Sequence, residues 1–275
     1  MSSYYDLPLH KPPVWTWEVP TYFFVGGAAG AAAVLGAVAQ LAGASEELVR
    51  DARWIAAAGS ALSAPLLIAD LGRPERFLKM LRVFKPKSPM SVGVWTVAAF
   101  SSASSACAFA MLVRRNSNLP VKVIENASAM VAAATGLVMA TYTGVLIGAT
   151  AIPVWKEHVR LLPVHFGTSA LGSAVSLLEL RGHRHAALQS LGLGTAIFET
   201  FANHAIESGE DRVSAPLRTP ITRLGGALSG PIPLALRLLG ARKGAAVSTL
   251  LGSLLTRFAW VEAGKLSAKD VTVAL

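Results

Sequence analysis

Long apolar stretches, each separated from the next by a short charged segment, dominate the pattern of this 275-residue chain. About 20 consecutive apolar residues in an α-helix are enough to cross the ~30 Å hydrocarbon core of a bilayer. We predict eight such helices, of which the seventh is the weakest. They cover residues 17–42, 54–71, 91–113, 124–150, 163–180, 186–206, 221–239 and 244–261.

The segments that join the predicted helices differ in length and charge. The first is interpreted as a charged turn that contains Glu46, Glu47, Arg50, Asp51 and Arg53. Residues 72–90 form a longer basic connection, in which we expect a short surface helix over 75–83. Glycine and proline interrupt the seventh segment, which predicts a broken helix of the kind that membrane proteins tolerate where neighbouring protein satisfies the backbone.

This organisation predicts an all-α membrane protein with both termini on the same side. We expect two bundles of four helices, the first in residues 1–150 and the second in residues 151–275. No convincing sequence repeat links the two halves, although many membrane proteins that consist of two similar halves have such repeats.

Composition supports a membrane protein over a soluble one. Hydrophobic residues make up 53% of the chain, charged residues only 15%, and the mean hydropathy is +0.50. A soluble domain of this size is less apolar and more charged. The small-residue spacing of Gly26 and Gly30 is typical of transmembrane helices that pack closely.

The net charge of +9 would suggest nucleic acid as a partner of a soluble domain. Here the basic residues fall between apolar stretches, where they meet lipid headgroups or an acidic partner protein, so we expect no nucleic-acid binding. The one cysteine, Cys107, excludes an internal disulfide and an iron–sulfur cluster held by this chain alone. The pattern predicts no metal site.

Carboxylate and phenol groups approach the membrane from the side that carries the termini. Asp70 is the first charge after the second apolar stretch, and Arg73 follows at i+3, close enough to pair with it. Glu18 lies at the start of the first helix and Tyr142 near the end of the fourth. The Tyr142 phenol could donate to a quinone carbonyl while carboxylates move protons. Alternatively, it bonds a neighbouring backbone carbonyl.

A polar stripe follows the predicted sixth helix, where Glu199, Asn203 and Glu207 recur at i, i+4 and i+8. Carboxylates inside a membrane are functional candidates by default. The stripe either relays protons or locks the bundle through interhelical hydrogen bonds. His165 and His204, on adjacent antiparallel helices, are a weaker candidate pair of axial ligands for a b-type haem.

Several segments, taken together, resemble the NrfD / polysulfide reductase family of membrane subunits. They are WTWEVPTYFFVGGAAGA at the first helix, PLLIADLGRPERFLKML with SPMSVGVW at the second and third, and YTGVLIGATAIPVW followed by LLPVHFGTSALGS at the fourth and fifth. The combination is specific, whereas each segment alone would be a weak signal. From about residue 186 onward the resemblance is loose.

The resemblance implies an eight-helix, cofactor-free membrane anchor that binds a quinone or quinol near one membrane face. It implies electron exchange with a ferredoxin-like subunit that carries [4Fe-4S] clusters and connects to a catalytic subunit, often a molybdopterin enzyme. It also implies that Tyr142 in YTG is the quinone-site tyrosine and that Asp70 and Arg73 in DLGRP lie near that site. Glu18 occupies the region where the first helix offers polar contacts to the quinone.

We therefore expect an integral membrane subunit of a multisubunit respiratory oxidoreductase, located in the prokaryotic cytoplasmic membrane. Its cofactor would be menaquinone or ubiquinone, with no haem or iron–sulfur cluster in this chain. The basic 72–90 connection would be the docking platform of the iron–sulfur subunit. Two alternatives stay open: a membrane anchor that binds no quinone, and a proton-translocating module suggested by the broken seventh helix and the stripe at Glu199.

Overall fold

The computed structural model describes residues 11–70, 74–114, 119–208 and 212–270, and these residues form helices joined by short connections. One connection contains a 3-10 turn, Arg212–Leu217. The α-helices of the described residues are α1 (Glu18–Leu41), α2 (Glu46–Asp70), α3 (Pro74–Met80), α4 (Pro89–Val113), α5 (Leu119–Gly148), α6 (Pro153–Glu157), α7 (Leu161–Leu180), α8 (Ala186–Ser208), α9 (Pro220–Ser229), α10 (Pro231–Leu238) and α11 (Arg242–Lys269).

Six helices of the described residues are long and apolar enough to cross a membrane, namely α1, α2, α4, α5, α7 and α11. These six helices confirm the expectation of an all-α, multi-pass membrane protein. The predicted count of eight crossings is not confirmed, because α8 and the α9–α10 pair fall outside this set. Polar residues interrupt the apolar sequence of α8, and α9 and α10 have only 10 and 8 residues.

Helix α1 lies at the centre of the molecule. It packs against α2 and α5, and on another side against α7 and α11. Helices α4 and α5 complete a group with α1 and α2, while α7, α8, α9, α10 and α11 pack among themselves. The division into bundles at 1–150 and 151–275 stays a prediction, since α1 and α5 also contact α7 directly.

Small residues allow the central helices to approach closely, as the sequence predicted. A Cβ at Gly30 of α1 would meet the backbone oxygen of Gly136 on α5 at 2.4 Å, and one at Gly136 would meet the oxygen of Gly30 at 2.6 Å. Real Cβ atoms do not approach so closely, so both positions require glycine. Such contacts favour association in lipid, where dispersion and backbone proximity replace the hydrophobic effect.

The predicted start of the second helix is wrong. Helix α2 begins at Glu46, and the supposed charged turn forms its first two turns. Two of these charged residues are buried because side chains distant in sequence pair with them: Asp51 accepts hydrogen bonds from Arg181, and Arg53 forms an ion pair with Glu125. Pairing removes most of the cost of burying a charge.

The predicted break in the seventh segment is confirmed. Helices α9 and α10 meet at Gly230, where a Cβ would lie 2.8 Å from the backbone nitrogen of Thr200 on α8. The break therefore lets α8 approach the backbone of the interrupted helix. Two other boundaries differ from prediction, since α5 begins at Leu119 and α11 continues to Lys269.

Candidate functional site

A cavity opens at one end of the group formed by α1, α2, α4 and α5. The chain alternates direction between these helices, so the first turns of α1 and α4 meet the last turns of α2 and α5. Apolar side chains form most of the wall. Its polar groups are the phenols of Tyr22 and Tyr142 and the carboxylate of Asp70. Two of the predicted site residues, Asp70 and Tyr142, thus line the same cavity.

The cavity is a narrow crevice. It measures about 550 Å³ when counted to its open mouth, and only about 70 Å³ of this is wide enough for water. Met80 at the end of α3 and Met90 at the start of α4 form part of the wall, and Met90 is half exposed. Methionine is unbranched and adapts its shape readily, so these side chains can widen the crevice at low cost.

Tyr142 is held at the wall by contacts with the first turns of α4. Its hydroxyl donates a hydrogen bond to the backbone oxygen of Pro89. A Cβ at Gly93 would overlap the phenol, so glycine at that position makes room for the ring. This is the backbone contact that the sequence left open as an alternative role for Tyr142, and in this conformation the hydroxyl makes it.

The carboxylate of Asp70 lies at the mouth of the cavity and is tied to the segment before α1. It is half-buried and lies close to the backbone N–H of Thr16. Glu18 is close enough to repel Asp70 electrostatically, and its own carboxylate accepts a hydrogen bond from the Thr16 hydroxyl. The two acids thus form one negatively charged group beside the opening.

Aromatic packing fixes the segment before α1 over the cavity. The ring of Trp15 stacks on Trp155 of α6 with centroids 5.3 Å apart, and its edge meets Phe23 of α1 at 6.0 Å. The buried indole N–H of Trp155 donates to the backbone oxygen of Trp260 at 2.8 Å. The side chain of Trp15 is therefore a fixed wall of the cavity, connected through Trp155 to α11.

The structure places the four residues predicted for this site differently. Asp70 and Tyr142 share the cavity, and Glu18 lies beside Asp70 although its side chain does not line the wall. Arg73 lies outside the described residues. Tyr22 belongs to the same polar entry of the first helix as Glu18 but was not assigned to the quinone site. Its buried phenol lines the same cavity and interacts electrostatically with Tyr142.

A second polar group is fully buried between α7, α8 and α11. His165 Nε2 lies 3.2 Å from Glu199 Oε2, an ion-pair distance but outside hydrogen-bond geometry. Arg257 interacts electrostatically with Glu199, donates to the backbone oxygen of Phe166 at 2.9 Å and lies 3.8 Å from the centre of the Phe166 ring. We call His165, Glu199 and Arg257 the buried triad.

Polar side chains of α8 and α9 extend the buried triad. Asn203 Nδ2 donates to the backbone oxygen of Glu199 at 2.7 Å and lies 3.5 Å from its carboxylate. The Ser229 hydroxyl donates to the same carboxylate at 3.3 Å. Glu207, which the sequence placed in the same stripe, takes no part in these hydrogen bonds and is only half-buried.

The sequence did not reveal His165 and Arg257 as partners of Glu199. Arg257 was assigned to a helix without a role, and His165 was considered only with His204 as a haem ligand pair. In the structure His165 is buried beside Glu199, whereas His204 is exposed and contacts Ser208 on its own helix at 3.4 Å. In the described ranges, no three His, Cys, Asp or Glu residues are grouped as metal ligands.

Comparison with known proteins identifies one family. A family model described as "Polysulphide reductase, NrfD" matches residues 7–192, which include α1 to α7 and the start of α8. The match covers the cavity and all four residues predicted for it. A search of curated proteins gave no match.

Proposed function

The chain belongs to the NrfD polysulphide reductase family, and on that premise we propose that it binds quinone as the membrane subunit of a respiratory oxidoreductase. Family membership makes it a multi-pass membrane subunit of an oxidoreductase complex. The observation that carries the quinone proposal is the shared cavity of Tyr142 and Asp70. The proposal includes a prokaryotic cytoplasmic membrane, with α8 and the α9–α10 pair completing eight crossings.

The residues of the cavity fit a quinone head. A quinone ring is flat and largely apolar, with two carbonyl acceptors, and it takes up two electrons and two protons when reduced. The cavity offers apolar walls, phenol donors at Tyr142 and Tyr22 and one carboxylate at Asp70, which is the mixture expected of a small-molecule site. Because the interior is narrow, binding requires Met80 and Met90 to move outward.

Each polar residue has a defined task in this proposal. The Tyr142 hydroxyl exchanges its hydrogen bond to the Pro89 backbone oxygen for one to a quinone carbonyl. The hydroxyl therefore has an acceptor both with and without quinone, and binding buries no new polar group of the protein. Asp70 accepts or supplies protons at the mouth, where it is half-buried. Glu18 beside Asp70 passes protons to and from the aqueous side. Arg73, three residues after Asp70, is proposed to pair with it.

Electrons are proposed to arrive from or leave to a ferredoxin-like subunit with [4Fe-4S] clusters, which connects to a catalytic, often molybdopterin-containing, subunit. The basic segment that includes α3 is the proposed docking surface, because Met80 at the end of α3 lines the cavity. Exposed basic residues of this segment are Arg76, Lys79, Arg82, Lys85 and Lys87. A partner bound there lies next to the quinone.

Replacement of Tyr142 by Phe in the assembled complex tests the assignment. It removes the hydroxyl and keeps the ring, so we expect quinone-linked turnover to fall about tenfold, the equivalent of one hydrogen bond. Thr141→Val is the matched control, because its hydroxyl bonds only to the backbone of its own helix. Unchanged turnover in Tyr142→Phe would favour a membrane anchor without quinone binding.

A second candidate function, proton transfer across the second half of the protein, is favoured by the buried triad. Five of the ten buried side-chain N and O atoms without a hydrogen-bond partner in the described residues belong to His165, Glu199 and Arg257. Unpartnered buried polar atoms are costly unless ordered water satisfies them, and a chain of water and ionisable groups can move protons. Asn203 holds Glu199 in this arrangement, and Glu207 would connect it to the surface.

Sealed vesicles that contain the complex distinguish this function from quinone chemistry. In Glu199→Gln, proton uptake coupled to turnover should be lost while quinone-analogue binding is unchanged. Ser176→Ala is a control on α7, because the Ser176 hydroxyl is buried but bonds only to its own helix. If Glu199→Gln keeps full proton uptake, the triad serves only to lock the helices together.

A further inference from the structure

A second cavity lies at the opposite end of the group formed by α1, α2, α4 and α5. The last turns of α1 and α4 and the first turns of α2 and α5 surround it. Its space wide enough for water is about 480 Å³, so its interior is much wider than that of the crevice at Tyr142. We call this cavity the basic basin. No residue of the proposed quinone site lines it.

The basic basin carries a net positive charge. Four basic side chains line it against two acidic ones, and these are Arg50, Arg53, Arg114 and Lys122 against Glu46 and Glu125. Within the described ranges, Arg50 and Lys122 have no ion-pair or hydrogen-bond partner. Two cations are therefore available to a ligand that enters the basin.

Arg53 forms a fixed floor beneath these free cations. Its side chain is 8% exposed and bonds to Glu125, to Gln40 at 2.7 Å and to Asn126 at 2.9 Å. Arg114 reaches the same carboxylate at 3.2 Å. Because one carboxylate serves two guanidinium groups, this floor keeps a surplus positive charge. The buried Nε of Arg53 has no hydrogen-bond partner in the described part of the chain.

Exposed leucines, which we call the leucine rim, occupy the helix turns around the basic basin. Leu41 at the end of α1, Leu112 near the end of α4, and Leu119 at the start of α5 are each at least 70% exposed. Exposed leucines at the ends of membrane-spanning helices contact lipid rather than water. The free cations thus lie next to surfaces that acyl chains cover, at the level where headgroups meet protein.

We propose that the basic basin binds the phosphate group of an anionic phospholipid, with Arg50 and Lys122 on the phosphate and the acyl chains against the leucine rim. A built polar floor, two free cations and adjacent apolar surface together fit one amphiphilic anion. A soluble anion uses the cations but gains nothing from the rim. This site holds a lipid of the opposite leaflet to the quinone cavity and stabilises the first four spans.

Native mass spectrometry of the protein released from nanodiscs tests the proposal. The nanodiscs contain phosphatidylcholine with a minor fraction of phosphatidylglycerol or cardiolipin. We expect the wild type to retain at least one anionic lipid molecule after delipidation. Each basic residue near an anionic surface contributes about 1 kcal/mol, so Arg50→Gln/Lys122→Gln should weaken retention on the order of thirtyfold. Both side chains are exposed, and the variant should fold normally.

Arg242→Gln/Lys243→Gln is the matched control, because it removes two basic residues at the start of α11 on the same membrane side. Equal loss of lipid in both variants would overturn the proposal in favour of general charge attraction. In phosphatidylcholine nanodiscs, inorganic phosphate should not raise the unfolding temperature, whereas phosphatidylglycerol should. Equal stabilisation by the two would assign the site to a soluble anion and contradict a lipid site.

Discussion

Gly93 on α4 lies directly against the phenol of Tyr142 on α5, and a Cβ at position 93 would overlap the ring. This contact sets the position of the Tyr142 hydroxyl at the start of α4, where it donates to the backbone oxygen of Pro89. The orientation of the phenol therefore depends on the absence of a side chain on the facing helix. Any residue larger than glycine at position 93 forces the ring to move.

Gly93→Ala should displace the Tyr142 ring and lower quinone-linked turnover while the protein still assembles. Misplacement by about 1 Å can cost on the order of a hundredfold in rate, so we expect a loss between about tenfold and a hundredfold. Turnover of the assembled complex with a quinol donor measures the effect. Gly194→Ala is the control, because nothing lies within 4 Å of a Cβ there. Wild-type turnover in Gly93→Ala would show that the ring position is unimportant.

Removal of one partner of the buried ion pair between Arg237 on α10 and Glu179 on α7 should strongly destabilise the protein. Both side chains are at most 2% exposed, and the guanidinium donates to the two carboxylate oxygens at 2.9 and 2.7 Å. Arg237→Met leaves a buried carboxylate unpaired, which costs about 3–5 kcal/mol of unfolding free energy. The double variant Arg237→Met/Glu179→Leu should recover most of this loss.

Unfolding in mixed micelles, followed by helix content, measures these differences. The exposed pair of Lys79 and Glu75, whose charged atoms lie 3.9 Å apart, supplies the comparison. Glu75→Gln should change the unfolding free energy by less than about 0.5 kcal/mol, since exposed pairs contribute little. If the double variant is as unstable as Arg237→Met alone, burial of an unpaired charge is not the cause.

The second turn of α2 should be protected from hydrogen exchange, and the protection should depend on Asp51. Its carboxylate accepts two hydrogen bonds from Arg181 at 3.2 Å and lies 3.0 Å from His183 Nε2. Asp51→Ala removes these contacts to the end of α7. We expect amides 49–53 to exchange faster, while the centre of α2 stays protected. Rapid exchange of amides 49–53 in the wild type would contradict a helix that begins at Glu46.

Hydropathy alone predicted the six helices that are long and apolar enough to cross a membrane. The meeting of Asp70 and Tyr142 could also be anticipated, because antiparallel helices of similar length bring alternate ends to the same membrane face. The short surface helix in the basic connection was found as α3, Pro74–Met80, close to its predicted place. In each case the information was local or followed from simple alternation of direction.

The remaining errors arose where a residue's partner lies far away in the sequence. Asp51 and Arg53 looked like loop residues because Arg181 and Glu125, which bury them, are more than 70 positions distant. The buried triad was missed because a helix pattern does not show which residues of α7 and α11 face Glu199. Rotation of a helix about its axis is set by packing, which the hydropathy of a nearly all-apolar helix does not report.

Saturation binding of a quinone head-group analogue to the assembled complex tests the central claim most directly. Leu146 is a partly buried wall residue of the cavity, and Leu146→Trp should fill the crevice. Leu251→Trp adds the same ring at an exposed, lipid-facing position of α11 as a control. We predict that binding is lost in Leu146→Trp and unchanged in Leu251→Trp. Equal affinity of the wild type and both variants would show that quinone does not bind in the cavity of Tyr142 and Asp70.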